Sequence, residues 1–224
     1  MKSFVINVAP EVQRLQAFTS NYPAFLPPFE VVSCFTKETC SEPPEWWKNL
    51  RQYWAHLESM RKALRLGLAT GEDFLFFEDD AVFAGEFEEK FSEALKNLPK
   101  HWDILYLGGC HLDSMMYPPY VENDFLLRGH AVHWNTGFLV NRKAAKKIVD
   151  FLEEEEWPCP HVADHMLTWK QRGGKLLSYA TLPFIVAQAA GVSTMNGREY
   201  PERWGNRFHY IDLAGNLQYF EGRE

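Results

Sequence analysis

Residues 74–83 read FLFFEDDAVF. The apolar run Phe74 to Phe77 meets Glu78, Asp79 and Asp80, and the chain returns at once to Ala81, Val82 and Phe83. The run reads as the most buried strand of the chain, and three carboxylates at its end are costly to desolvate and repel one another. A bound cation, solvent at a sheet edge, or both would offset that cost.

Working outward, residues 2–8 and 29–35 read as two earlier strands and residues 11–19 as a short helix between them. Tyr53, Leu57, Met60, Leu64 and Leu68 recur at three- and four-residue steps, which predicts a helix over 46–69 ended by Gly71. Residues 86–97 predict an acidic amphipathic helix stopped at Pro99, and WDILYLGG (102–109) a strand with a glycine stop. Residues 111–130 read as a loop. HAVHWNTGFLV gives one or two strands with a bulge at Gly137, and Asn141 caps a helix over 142–153. The acidic run 153–156 reads as a solvated helix end, 161–172 as a helix, and LLSYATLPFIV as the last strands. Residues 191–224 read as a long loop or lid with a short tail. Strands alternating with helices predict a single α/β domain over 1–224 with a mainly parallel central sheet.

The formal net charge of −7 argues against a nucleic-acid partner, and no polybasic cluster suggests a membrane surface. The N-terminal MKSFVINVAP lacks the features of a signal peptide, and the apolar stretch 176–192 is broken by Ser178, Pro183 and Gln188. A cytoplasmic protein with no transmembrane segment is the expectation. The four cysteines, Cys34, Cys40, Cys110 and Cys159, form no CxxC and read as free thiols.

In an open α/β sheet, ligands gather at the carboxyl ends of strands. Side chains alternate along an extended chain, so Glu78 and Asp80 are expected on one side and Asp79 on the other. Two carboxylates there could share a hard divalent cation, magnesium or manganese, that would hold a phosphate-bearing substrate. The competing reading is a solvated acidic turn.

The stretch AHLESMRKALRLG followed by EDFLFFEDDAVF resembles glycosyltransferase family 25, which includes lipopolysaccharide and collagen galactosyltransferases; His56-Leu57 match its helix start and Ala55 replaces a serine. WDILYLGG, NTGFLVNRKAAKKIVDFL, VADHML with Asp164, and LPFIVAQAAGVSTMNG with Gln188 and Ser193 continue the likeness in order. The acid that follows the serine in the family is missing, since Thr194 and Met195 stand there. FVINV, with Arg14 after it, is similar to the family's first strand and later arginine.

The resemblance implies a GT-A-like, Rossmann-like fold, a UDP-sugar donor, manganese or magnesium at the acids, and inverting transfer of a hexose such as galactose to a glycan or other hydroxyl acceptor. It implies Asp80 as metal ligand with Glu78 or Asp79 assisting. His209, in NRFHYIDL, is a further candidate for the metal shell by similarity to some related GT-A enzymes, outside the family pattern. The family resemblance implies Asp164 as the base, and Asn7, Arg14, His56, Asp79, Gln188 and Ser193 around the donor. Several of these have plainer readings: Asn7 as a turn residue, Arg14 as a solvated helix residue, His56 as a hydrogen-bonded core histidine, and Trp134 as core or edge packing rather than a sugar platform. Two other functions compete. Cys159, His161, Asp164 and His165 carry a four-residue histidine spacing that suits a zinc hydrolase, although Val162 stands where HExxH has glutamate. A non-catalytic nucleotide- or carbohydrate-binding protein on the same scaffold is the third.

Overall fold

The computed structural model describes residues 1–9, 11–154 and 162–222. In chain order the elements are β1 Lys2–Asn7, α1 Val12–Asn21, β2 Phe29–Ser33, α2 Arg51–Thr70, β3 Phe74–Glu78, β4 Ala81–Phe83, α3 Phe87–Asn97 and β5 Ile104–His111. There follow β6 Tyr120–Asn123, β7 Leu126–Gly129, β8 Val132–Val140, α4 Arg142–Glu153, α5 Ala163–Arg172, β9 Ser178–Thr181 and β10 Val186–Gln188. The chain closes with β11 Gly191–Val192, β12 Glu199–Tyr200, β13 Arg207–Ile211 and β14 Leu217–Glu221.

The protein is α/β. Ten strands form one sheet in the order β14-β13-β6-β7-β9-β5-β8-β3-β1-β2. Only β7, β8 and β14 run against the other seven, so most strands share one direction although the sheet is mixed.

Both faces of the central strands are buried, and the side chains divide by parity as the pleat requires. Phe74, Phe76, Ile104 and Tyr106 pack with α2, α4 and α5, while Leu75, Phe77, Leu105 and Leu107 pack with α1 and α3. On the second face Phe18 of α1 meets Phe29, Phe77 and Phe83 at ring separations of 5.2, 5.9 and 5.8 Å. That cluster fixes α1 over the end of β3.

Gly71 ends α2 in the left-handed conformation, and Asn141 caps α4 by accepting a hydrogen bond from the Lys143 N–H at 2.9 Å. The strand through WDILYLGG does not stop at its glycines but continues to His111, with register shifts on either side of Gly108. The first shift leaves an extra residue in β5 and the second leaves extra residues in β8 between His133 and Gly137, so β8 bulges beside Gly137 as expected. A Cβ on Gly108 would sit 2.5 Å from the Val186 carbonyl oxygen, so the bare glycine lets β10 lie against β5.

Two segments read as loops are corrected. Residues 111–130 contain β6 and β7, and 191–222 contain β11 to β14, including a hairpin that edges the main sheet. These strands are short, and β6, β11 and β14 are polar or exposed, so they lack a buried-strand pattern; β7 is buried at Leu126 and Leu127 but only four residues long. Cys34, Cys40 and Cys110 are free thiols. Glu155, Glu156, Cys159 and His161 lie outside the described residues, so half of the histidine cluster does too. Among the described residues no helix is long and apolar enough to cross a membrane.

Candidate active site

β3 ends at Glu78, at the carboxyl edge of three parallel neighbours, β2, β1 and β3. Asp79 and Asp80 form a turn before β4, and this corrects the expected alternation. A turn does not keep the two-residue period of a strand, so Asp79 and Asp80 meet on one guanidinium, while Glu78 pairs with His56 and still bears on Asp80. Arg14 Nη2 lies 2.6 Å from Asp79 Oδ1 and 2.8 Å from Asp80 Oδ2. Asn7 Nδ2 donates to Asp79 Oδ2 at 2.7 Å from the end of β1. Glu78 Oε1 is 3.0 Å from His56 Nε2 on α2.

Gln188, at the end of β10, donates from Nε2 to Asp80 Oδ2 at 3.0 Å and accepts from Arg203 at Oε1. Arg203 only donates, so it fixes the orientation of the Gln188 amide. The guanidinium of Arg203 lies over Trp134 at 4.6 Å and over Tyr200 at 4.1 Å. Asp80 Oδ2 is thus held twice, while Asp80 Oδ1 is buried without a protein partner.

Burial and the Glu78 charge push the Asp80 carboxyl up to about 6, against Arg14 and the Gln188 hydrogen bond. Burial also raises Asp79 despite Arg14 and Asn7. Arg14 is raised: burial opposes its charge, and the fields of Asp80, Asp79 and Glu78 outweigh it. His56 is raised in the same way, with burial opposing and Glu78 prevailing.

Clefts surround these groups. One of about 500 Å3 is bordered by Arg14, Asp79, Asp80, Gln188 and Ser193. A small one beside it reaches Glu78 and His56. A third, of about 180 Å3, shares Glu78, His56, Gln188 and Ser193 and extends to Asp164 and Trp134. Asp164, in the first turn of α5, has Oδ2 3.0 Å from His133 Nε2 and accepts the His165 N–H at Oδ1, 3.0 Å. Burial raises its carboxyl, with His165 and His56 opposing.

The structure therefore brings Arg14, His56, Glu78, Asp79, Asp80, Asp164, Gln188 and Ser193 to one connected set of clefts. Asn7 lies behind Asp79 and braces it, bordering none of these three clefts. His209 is elsewhere: its ring packs on Tyr219 at 4.9 Å and its N–H donates to Ser114. Strand β13 pairs with β14 and β6 on the far side of the sheet, which sets His209 away from the metal shell expected for it. His133, Asn135, Tyr200 and Arg203 also border the third cleft, and the sequence reading gave them no role. No motif marks them; only the adjacency HWN to the left-handed Trp134 is local, and that conformation is visible only in three dimensions.

The donor set suits a hard divalent cation in part. Asp80 Oδ1 is an available oxygen with Glu78 and Asp79 beside it, yet among the described residues no three candidate ligands are grouped around a common point. Magnesium-type ions are commonly held by one or two carboxylates plus substrate phosphates and water, so the residues present are compatible with that mode.

No protein-family model matches the chain, and no curated protein sequence matches it. Among solved structures, a protein from STIV is 14% identical over all of this chain and 96% of its own, with a TM-score of 0.43. A putative glucose-1-phosphate thymidylyltransferase from Bacillus anthracis is 8% identical over 83% of this chain and 70% of its own, TM-score 0.40. A glycosyltransferase involved in the glycosylation of the major capsid of PBCV-1 is 8% identical over 81% of this chain and 92% of its own, TM-score 0.39.

Proposed function

We propose that the protein is a glycosyltransferase that moves a hexose from a nucleotide-sugar donor, UDP-linked as in family 25, to a hydroxyl acceptor with inversion. The observation that carries the reading is the pairing of two sites. A strand-end acid cluster with one unpartnered carboxylate oxygen borders a nucleotide-sized cleft, and a buried carboxylate, Asp164, borders an adjoining one. The order of the segments that resemble family 25 supports it further. Ala55 and Thr194 depart from that pattern.

In this reading the 500 Å3 cleft takes the nucleotide diphosphate. Asp80, with Glu78 or Asp79 assisting, would hold manganese or magnesium, which when bound supplies Lewis-acid stabilisation of the departing diphosphate. Arg14, part exposed between the acids and the cleft, offers its remaining N–H groups to phosphate oxygens. Asp164 takes the proton of the acceptor hydroxyl as that oxygen bonds to the anomeric carbon and the bond from that carbon to the diphosphate oxygen breaks. A carboxylate whose proton affinity is raised by burial is a stronger base than an exposed one. His133 holds Asp164 in place at 3.0 Å.

Thermal shift with UDP-, GDP- and CMP-sugars, each with and without manganese, tests the donor. Stabilisation by a UDP-sugar that requires manganese is expected, since a ligand selective for the folded state raises the melting temperature. Asp164→Asn should keep that shift and lower turnover by about 100- to 10,000-fold. Unchanged turnover would remove Asp164 from the chemistry.

A further inference from the structure

Two adjoining residues on the wall of the 180 Å3 cleft each carry an unfavourable feature. Asn135 is 3% exposed, yet its Oδ1 has no hydrogen-bond partner. Its Nδ2 reaches only the Met60 sulfur, at 3.5 Å. A buried amide left unsatisfied is unfavourable and rare, and a leucine of similar size would remove the penalty. Trp134, one residue earlier, has φ 64° in the bulged stretch of β8 that faces Gly109, and the bulge turns its ring to the cleft wall. A bulky residue in the left-handed region is strained, and such strain persists where surrounding structure enforces it, often beside a ligand.

We propose that this cleft is a subsite for one neutral, hydroxyl-bearing sugar ring, with a ring hydroxyl donating to Asn135 Oδ1. The lining suits a neutral ligand: the Glu78 and Asp164 carboxylates are balanced by the Arg203 guanidinium and by the imidazoles of His56 and His133, so neither charge calls for a counter-ion. The size suits one ring, since clefts for larger ligands run to roughly 300–1,000 Å3. Hydroxyls both donate and accept, which matches a wall that mixes amide, carboxylate and imidazole groups. Trp134 and Tyr200, locked together through Arg203, bound the cleft with aromatic surface. As the acceptor's place beside Asp164 the subsite rests on the transferase reading; as a sugar site it does not.

Titration with methyl β-galactoside, methyl α-glucoside, methyl N-acetylglucosaminide and glucuronate, followed by calorimetry and by the Asn135 side-chain amide NMR signal, tests it, with and without UDP and manganese. At least one neutral glycoside should bind and move that signal, with glucuronate at least tenfold weaker. Asn135→Leu should weaken sugar binding tenfold or more while the melting temperature stays level or rises. A merely structural asparagine would instead give a lower melting temperature and unchanged binding, which overturns the proposal. So does a panel in which no neutral glycoside binds under either condition, or in which glucuronate binds best. If the leucine variant does not fold, the wild-type amide signal decides: moved by sugar, the subsite stands; unmoved, it falls. Sugar binding without any nucleotide effect leaves the subsite and removes the transferase reading, and nucleotide binding without sugar does the reverse.

Discussion

Arg14 is the cationic partner shared by the Asp79 and Asp80 carboxylates, and that sets the balance between stability and binding at this site. Asp79 is almost wholly buried and held by Arg14 and Asn7. Arg14→Met removes one charge of a largely buried group, and its expected cost is about 3 kcal/mol at pH 8. Urea unfolding checks it, and the loss should shrink at pH 5, where Asp79, raised by burial, takes up a proton more readily. Asp80 gives the complementary case. Its folded value, about 6, lies above the ordinary 3.8, so the folded state binds the proton more tightly than the unfolded chain. Stability from this group therefore grows as pH falls through 6 toward 4 and is lost above 6. Asp80→Asn should raise the melting temperature at pH 8, flatten its rise between pH 7 and 4, and abolish manganese-dependent UDP stabilisation. A melting profile of both proteins against pH reads all three effects.

Elements carry these residues into place, and their strength can be tested separately. Helix α1 delivers Arg14, and Phe18 anchors that helix in the aromatic cluster of Phe29, Phe77 and Phe83. Phe18→Ala should cost about 3–5 kcal/mol, measured by denaturant unfolding, and should weaken nucleotide binding through α1. Asn141→Ala, which removes the α4 cap far from the acids, should cost about 1 kcal/mol and leave the nucleotide shift unchanged. The helices with clear apolar stripes were legible in the sequence, α3 and the end of α2 to within about a residue, because periodicity and caps are local signals, while α2 starts five residues later than expected, at Arg51. Strand β10 was legible as a strand, but its crossing over Gly108 to bring Gln188 onto Asp80 was not. That contact joins residues 108 positions apart.

Across the whole molecule the same carboxylates and His56 act in one direction. Asp79, Asp80 and Asp164 are raised, so their folded forms favour protonation. His56 is raised, so its contribution is complete below about 6.5 and fades as pH climbs through its folded value. The protein should melt higher at pH 5.5 than at pH 8; on the proposed function, manganese-dependent nucleotide binding, which would need Asp80 ionised, should show the reverse order. The C-terminal hairpin β13–β14 is part of the sheet rather than a detachable tail: Phe208 is buried, and Asn206 bonds both the N–H and the carbonyl of Phe184.

The sequence by itself determined the α/β class, the buried strand that ends in Glu78, Asp79 and Asp80, and the segments that supply Arg14, His56, Gln188 and Asp164. Those features rest on local pattern: apolar runs, helical period, caps, and residue order along the chain. Tertiary structure alone decided which charges meet. It placed Asp79 and Asp80 on one guanidinium, turned Glu78 to His56, paired Asp164 with His133, and carried His209 to another part of the sheet. The physical reason is range. Strand and helix signals act over a few residues, whereas ion pairing and desolvation depend on through-space distance and burial, which the chain acquires only when the sheet assembles.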